Sequence, residues 1–355
     1  MDIRRVIKDV VRGQEAYPIE DVSYRIKLDA NENPYSLSPA LRGKMLECME
    51  HVSLNRYPDP GCTELKARFA EYYGVRESMI LFGNGSDELI LMLLIATRSQ
   101  PPGGVIIPIP TFAMYRISAL NAGHNLVEVP LDSRFDIDLG PFTDAMTKHT
   151  PHLIFLSYPN NPPGNLFSRE RVVEILAKSE GIVVVDEAYC NFSCDSFLHE
   201  IDTWPNLVIL RTLSKIGFAA LRFGILIAQP ELVKELNKVR LPYNINAFSQ
   251  TMARFFLEHE GDFQKDIQRI IATRDTLFSE LEKLEGITPF PTDANFVLFR
   301  CASRKNKIYS KLLDRGVLVK QFSAPGALVD CIRVTVGTDD ENQEFLRVLK
   351  ESVRQ

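Results

Sequence analysis

The residues best suited to chemistry are a carboxylate that ends one predicted apolar strand and a lysine that lies shortly after another. Asp186 ends the run GIVVVD, and Lys215 ends RTLSK, just after residues 207–211. A lysine that is desolvated or close to a second cation has a lowered pKa and becomes a nucleophile toward a carbonyl carbon. Arg222, seven residues later, is a candidate for that cation. Considered singly, Lys215 is most simply a surface charge, and Asp186 is equally well explained as a helix cap.

The glycine-rich segment GNGSDE, residues 83–88, lies between a predicted strand and a predicted helix. A dinucleotide fingerprint needs glycine at the sixth position, where this chain has Glu88, so a nicotinamide cofactor is disfavoured. Glycines and exposed N–H groups at a helix start still suit a phosphate group. Asp87 and Glu88 would repel that phosphate unless their side chains turn away. The alternative is a tight turn capped by Ser86.

A lysine, a carboxylate, an arginine and a glycine-rich turn are together the groups that a protein needs to bind pyridoxal 5′-phosphate (PLP). PLP needs a lysine for its Schiff base and an acidic partner for its pyridine nitrogen, which keeps the ring able to accept electrons. Lys215 and Asp186 would meet those two needs, while the glycine-rich turn and Arg222 would hold the phosphate. The sequence therefore predicts a PLP enzyme.

The elements that must position these residues alternate between short apolar runs and amphipathic stretches, which favours an α/β domain with a mainly parallel sheet flanked by helices. The pattern changes near residues 241–246, after which a smaller α+β domain is predicted. We expect an N-terminal arm over 1–30 that packs on the small domain or on a partner subunit, a large PLP-binding domain over 31–243 and a small C-terminal domain over 244–355. Predicted strands are 79–82, 105–108, 153–157, 182–186, 207–211, 223–228, 296–300, 317–320 and 332–336; predicted helices are 87–98, 112–122, 169–179, 231–239, 249–284 and 307–315.

The composition excludes several classes of protein. A net charge of −5 disfavours nonspecific binding to nucleic acid or to anionic membranes. The longest apolar run, 89–96, is far shorter than the roughly 20 residues of a membrane span, and the first residues lack the apolar core of a secretory signal. The six cysteines form no C-x-x-C pair and no metal-ligand spacing. We therefore expect a cytoplasmic protein with reduced cysteines and no metal.

Further motifs extend this pattern over almost the whole chain, which resembles the fold-type I aminotransferases, whose fold is like that of aspartate aminotransferase. Within them it is most similar to the histidinol-phosphate aminotransferase branch, to which DANENPY, RYPDP and DANFVLFR point together. The motifs are DANENPY (29–35), RYPDP (56–60), GNGSDE (83–88), PTF (110–112), YPNNPPG (158–164), VVDEAY (184–189), TLSK (212–215), DANFVLFR (293–300) and IRVTVGT (332–338).

The resemblance implies roles around the cofactor ring. Lys215 would form the Schiff base and later act as the general base that moves a proton between the substrate Cα and C4′. Asp186 would pair with the pyridine nitrogen, Tyr189 and Asn161 would hydrogen-bond the ring oxygen O3′, and Phe112 would stack on the ring. Outside this context, Phe112 would be a core aromatic and Asn161 a turn residue.

The resemblance also implies how the cofactor phosphate is held. Tyr57 would reach the cofactor phosphate of a neighbouring subunit, which implies a homodimer; otherwise Tyr57 is a turn aromatic. The loop from Lys215 to Arg222 is one residue shorter than is common in these enzymes, which puts the approach of Arg222 in question. The phosphate contacts within the chain would come from the backbone of Gly85, Ser86 and Asp87 and from the side chains of Thr212, Ser214 and Arg222.

Substrate binding follows from the same resemblance. Arg333 would bind the α-carboxylate of amino-acid substrates, or the corresponding part of histidinol phosphate, although its place in the alternating run IRVTV also fits a solvent-facing strand charge. Lys320 stands where the family often has the arginine that meets the substrate phosphate; lysine binds phosphate as a point charge without the bidentate fork. Tyr17 and Asn33 would assist.

The predicted reaction converts L-histidinol phosphate and 2-oxoglutarate to imidazole-acetol phosphate and L-glutamate, a step of histidine biosynthesis. An aromatic amino acid aminotransferase and a threonine-phosphate decarboxylase are alternatives on the same scaffold. A PLP-binding regulator without catalysis is a third alternative, against which the joint presence of Lys215, Asp186, Asn161 and Tyr189 argues.

Overall fold

The computed structural model describes residues 2–15, 22–99, 103–322 and 326–353. The α-helices are α1 (Asp9–Arg12), α2 (Pro39–Glu50), α3 (Thr63–Tyr73), α4 (Ser86–Ala96), α5 (Ala113–Ala122), α6 (Leu139–His149), α7 (Arg169–Lys178), α8 (Pro230–Leu236), α9 (Ala247–Glu258), α10 (Glu260–Glu282), α11 (Lys305–Asp314) and α12 (Asp339–Val353). The strands are β1 (Ile26–Leu28), β2 (Ile80–Asn84), β3 (Val105–Ile109), β4 (Leu126–Pro130), β5 (Leu153–Ser157), β6 (Ile182–Asp186), β7 (Leu207–Thr212), β8 (Phe223–Ile227), β9 (Thr288–Pro289), β10 (Phe296–Arg300), β11 (Val317–Gln321) and β12 (Cys331–Thr335).

A seven-stranded sheet in the order β2-β8-β7-β6-β5-β3-β4 forms the centre of the molecule. Strand β8 runs antiparallel to both of its neighbours, and the other pairs are parallel. The central strands of this sheet are apolar on both faces, as buried parallel strands usually are: Val183 and Val185 belong to one apolar cluster and Val184 to another. Because β6 and β7 are parallel neighbours, their carboxyl ends meet at one edge of the sheet, where ligands of such folds bind.

A second sheet has the strand order β1-β11-β12-β10-β9. Strand β1 precedes the large sheet in the chain, yet it pairs in parallel with β11, so the segment around residues 26–28 packs with C-terminal elements. The α/β class with a second, smaller α+β unit is confirmed. The domain boundaries at residues 30 and 243 remain predictions.

The helical prediction over 249–284 was wrong in one respect. Two helices, α9 and α10, take the place of one, because His259 between them adopts φ −126° and ψ 22°. The helices α2, α3 and α6 and the strand β4 were not predicted. Within the residues described, no helix is both long and apolar enough to cross a bilayer.

Candidate active site

Asp186 is the last residue of β6 and is buried among apolar side chains. Its Oδ2 accepts a hydrogen bond from the hydroxyl of Tyr115 at 2.7 Å, and its Oδ1 accepts one from the N–H of Ala188 at 3.1 Å. Burial raises the pKa of Asp186 to about 6, although these two hydrogen bonds and the charge of Lys215 lower it. A cation placed at this carboxylate would offset the cost of burying its charge.

Lys215 lies in a short turn directly after β7, one strand away from Asp186. Its Nζ donates to the carbonyl oxygen of Ala30 at 3.3 Å and lies 5.5 Å from the centre of the Tyr189 ring. The amine therefore faces the same region as Asp186 and Tyr189, where an aldehyde between them would meet it.

A cradle of backbone N–H groups is formed where β2 turns into α4. Gly85 adopts φ +78°, which favours glycine, and a Cβ there would come within 2.6 Å of the Arg222 guanidinium. The N–H groups of Ser86 and Asp87 begin α4, where backbone donors lack helical acceptors. Arg222 donates to the carboxylate of Asp87 at 2.9 Å and to the hydroxyl of Ser214 at 3.4 Å. The short loop before Arg222 therefore still brings its guanidinium to this turn.

Other side chains complete the cradle. The Thr212 hydroxyl accepts from the N–H of Ser214 at 3.1 Å and lies 2.9 Å from its Oγ, which holds the two hydroxyls together. The carboxylate of Glu88 turns back to accept from Asn244 at 2.8 Å. A Cβ on Gly224 would come within 2.6 Å of the N atom of Ser86, so close approach of the two backbones needs glycine there.

Asn161 and Tyr189 are brought together at the carboxyl edge of the large sheet. Nδ2 of Asn161 donates to Tyr189 Oη at 3.3 Å, and Oδ1 of Asn161 accepts from the guanidinium of Arg333. Arg333 also donates to the carbonyl oxygen of Asp29 at 2.6 Å. Although strand alternation allowed Arg333 to be a solvent-facing charge, it is buried and points toward this cluster.

Lys320 stands directly opposite Arg333 in the antiparallel pairing of β11 and β12. Opposite residues in such a pair project from the same face of the sheet, with Cβ atoms about 5 Å apart. Two cationic side chains therefore share one face of the small sheet, which suits an anionic substrate.

Other predicted site residues lie at the edges of this cluster or away from it. Phe112 caps α5, and its ring meets that of Tyr115 edge-on at 5.5 Å. Asn33 lies close to Gly217, which follows Lys215 by two residues. A Cβ added to that glycine would be 3.5 Å from Nδ2 of Asn33. Tyr57 is 80% exposed and stacks on Tyr243, so its contacts within the chain are at the surface. The prediction for Tyr17 lies outside the described residues.

Sequence reasoning missed two residues that contact the site. Tyr115 follows Phe112 by three residues and carries the hydroxyl that binds Asp186; its spacing on an apolar helix looks like that of a core residue. Asn31, inside DANENPY, donates from Nδ2 to Tyr189 Oη at 2.9 Å. The motif drew attention to the segment but did not single out this side chain.

The donor set fits PLP. Among the described residues, no cationic side chain hydrogen-bonds the buried carboxylate of Asp186, and a protonated pyridine nitrogen would be such a partner. The turn at Gly85, with Arg222 and Ser214, offers donors for a phosphate. Lys215 offers an amine for the aldehyde. The pieces meet because parallel strands end at one edge of the sheet.

The fold and this site define an aminotransferase-like protein, and comparison with known proteins agrees. Residues 24–349 match the family described as aminotransferase class I and II, and the chain belongs to that family.

Among its relatives, histidinol-phosphate aminotransferase 2 of Nitrosococcus oceani is 44% identical over 347 residues, covering 97% of this chain and 96% of the relative. The histidinol-phosphate aminotransferase of Aquifex aeolicus is also 44% identical, over 351 residues and 98% of each chain. The crystal structure of histidinol-phosphate aminotransferase from Sinorhizobium meliloti in complex with pyridoxal-5′-phosphate superposes with a TM-score of 0.88 at 23% identity, covering 98% of this chain and 97% of that one. That likeness establishes the fold.

Proposed function

We propose that this protein is a PLP-dependent histidinol-phosphate aminotransferase, which converts L-histidinol phosphate and 2-oxoglutarate to imidazole-acetol phosphate and L-glutamate in histidine biosynthesis. The observation that carries the proposal is the pairing of Lys320 with Arg333, whose guanidinium binds the same Asn161 side chain that donates to Tyr189. Relatives named for this activity share 44% of their residues with the chain over nearly its full length.

PLP supplies an electron sink that stabilises negative charge developing at the substrate Cα. Asp186, whose burial raises its pKa to about 6, would hold the pyridine nitrogen in its protonated form, because a cation beside a carboxylate favours both charges. Lys215 would take the proton from Cα and return it at C4′, since its amine already faces the space between Asp186 and Tyr189. Asn161 and Tyr189 would hold O3′.

The site must accept an anion in both half-reactions: the phosphate of histidinol phosphate in one, and the two carboxylates of 2-oxoglutarate in the other. Arg333 would bind the carboxylate through its planar guanidinium, whose paired N–H groups match a carboxylate. Lys320, on the same face, would bind the phosphate as a point charge. Two cations on one face would let a single site accept both partners.

We propose further that the protein acts as a homodimer in the cytoplasm. Tyr57, Leu54 and Leu241 expose 80%, 79% and 68% of their surface, and the stacking of Tyr57 on Tyr243 brings these two chain segments together. A contiguous exposed apolar patch is typical of an interface between subunits. All six cysteines, which lie within the described residues, are unpaired, as is usual in a reducing compartment. Sedimentation analysis tests the dimer, and a monomer at micromolar concentration would contradict it.

A half-reaction assay tests the substrate. PLP-loaded protein is mixed separately with histidinol phosphate, phenylalanine and threonine phosphate, and the absorbance of the bound cofactor is followed. We expect fast conversion to the pyridoxamine form with histidinol phosphate and slow or no conversion with the other two. Faster conversion with phenylalanine would instead indicate an aromatic aminotransferase, and release of carbon dioxide from threonine phosphate would indicate a decarboxylase.

A further inference from the structure

Tyr189 is held by two side-chain amides, those of Asn31 and Asn161. Asn31 donates from Nδ2 to Tyr189 Oη at 2.9 Å, and Asn161 donates to the same oxygen at 3.3 Å. Asn31 is buried and adopts φ 56°, a left-handed conformation that asparagine tolerates better than most residues.

The other partners of the two amides fix their orientation. The guanidinium of Arg333 has no acceptor, so the Asn161 atom that it contacts must be the amide oxygen. The hydroxyl of Thr335 accepts from the backbone N–H of Asn31 at 2.9 Å and donates its own proton to Oδ1 of Asn31 at 3.3 Å. Each amide therefore presents its NH₂ group to Tyr189.

A phenol oxygen has two lone pairs and one proton. Because the two amides occupy both lone pairs, the proton of Tyr189 is left to point at a third group. We propose that Asn31 is a positioning residue that directs the Tyr189 hydroxyl proton into the site, toward O3′ of the cofactor. This inference rests on the proposed function, because O3′ belongs to PLP. Chained hydrogen bonds polarise one another, so donation by Asn31 also makes Tyr189 a stronger donor.

The placement of Asn31 depends on both sheets. Its side chain reaches Tyr189 beyond the large sheet, while its backbone N–H binds Thr335 in β12 and its carbonyl oxygen accepts from Asn295 at 3.1 Å. The two preceding carbonyl groups accept from Lys215 and Arg333. Residues 29–31 therefore hydrogen-bond Arg333, Lys215 and Tyr189. Of the three, Asn31 is the one that makes its contact through a side chain.

The test is the pH titration of the bound cofactor's absorbance in the holoenzyme. Asn31→Gly removes the donor and keeps a left-handed backbone. A weaker donor at O3′ stabilises the charged, deprotonated cofactor less. The midpoint of the cofactor's pH titration in Asn31→Gly is therefore expected to lie about half a pH unit above that of the wild type. Thr335→Val, which removes the hydroxyl that orients the Asn31 amide, should give a smaller rise.

The control is the same Asn31→Gly substitution in a Tyr189→Phe background, where no further shift is expected because the path through the hydroxyl is gone. An equal shift in both backgrounds, or no shift in the wild-type background, would overturn the inference. If the wild-type holoenzyme transaminates histidinol phosphate and the bound cofactor of Asn31→Gly has the same titration midpoint as that of the wild type, the inference fails and the proposed function stands. A wild-type protein that binds no PLP would refute both.

Discussion

The hydrogen bond that Tyr115 donates to Asp186 stabilises the charged form of this buried carboxylate. Burial raises the pKa of Asp186 from 3.8 to about 6, a gap of about two pKa units or about 3 kcal/mol. The folded state therefore binds the proton of Asp186 more tightly than the unfolded state does. In the cofactor-free protein, stability from this group is complete below pH 3.8 and is lost as the pH rises through 6.

Tyr115→Phe removes one donor from this carboxylate and creates no large cavity. A hydrogen bond to a charged acceptor contributes about 1.5–3 kcal/mol, and one between neutral groups about 0.5–1.5 kcal/mol. At pH 8, where Asp186 is charged, the variant should lose about 2 kcal/mol of unfolding free energy. At pH 5, where the folded protein holds Asp186 protonated, the loss should be about 1 kcal/mol. The difference corresponds to a further rise of about one unit in the pKa of Asp186.

Urea unfolding of the cofactor-free protein at pH 5 and pH 8 measures both losses. The same substitution in an Asp186→Asn background is the control, because the asparagine cannot ionise and the loss should then be equal at the two pH values. A pH-independent loss in the otherwise wild-type protein would refute the assignment of the Tyr115 hydroxyl to the charged carboxylate. So would a pH-dependent loss that persists beside Asp186→Asn.

Three further predictions follow from other contacts. Borohydride reduction of the PLP-loaded protein should label the peptide that contains Lys215, and a label on another lysine would exclude its role. Lys320→Ala should raise KM for histidinol phosphate about 10-fold or more, from the loss of a charged hydrogen bond, with a smaller effect for phenylalanine; equal effects would contradict phosphate binding. Arg211→Met leaves the buried carboxylate of Glu187 without its cation 2.7 Å away and should cost about 3–5 kcal/mol of unfolding free energy. Adding Glu187→Gln should restore part of that loss, and an unchanged loss in the double variant would show that charge is not its cause.

Much of the large domain could be predicted from the sequence because its strands are short, apolar on both faces and bounded by polar residues. Strands β5 and β6 were predicted at the bounds that the structure has. Strand β4 was missed because it lies at the sheet edge and carries the exposed Glu128. Helix α2 was missed because its sequence buries Leu41 alone, and the break at His259 was missed although Gly261 follows it by two residues.

The sequence by itself determined which residues end the central strands. Asp186 and Lys215 could be found this way because each lies next to its own strand, and parallel strands bring their carboxyl ends to one edge. Tertiary structure alone decided which side chains meet there. Tyr115 is 71 positions from Asp186, Asn31 is 158 from Tyr189 and Arg333 is 172 from Asn161. Such contacts depend on how separate elements pack, and the spacing of residues along the chain does not encode the direction in which a distant side chain points.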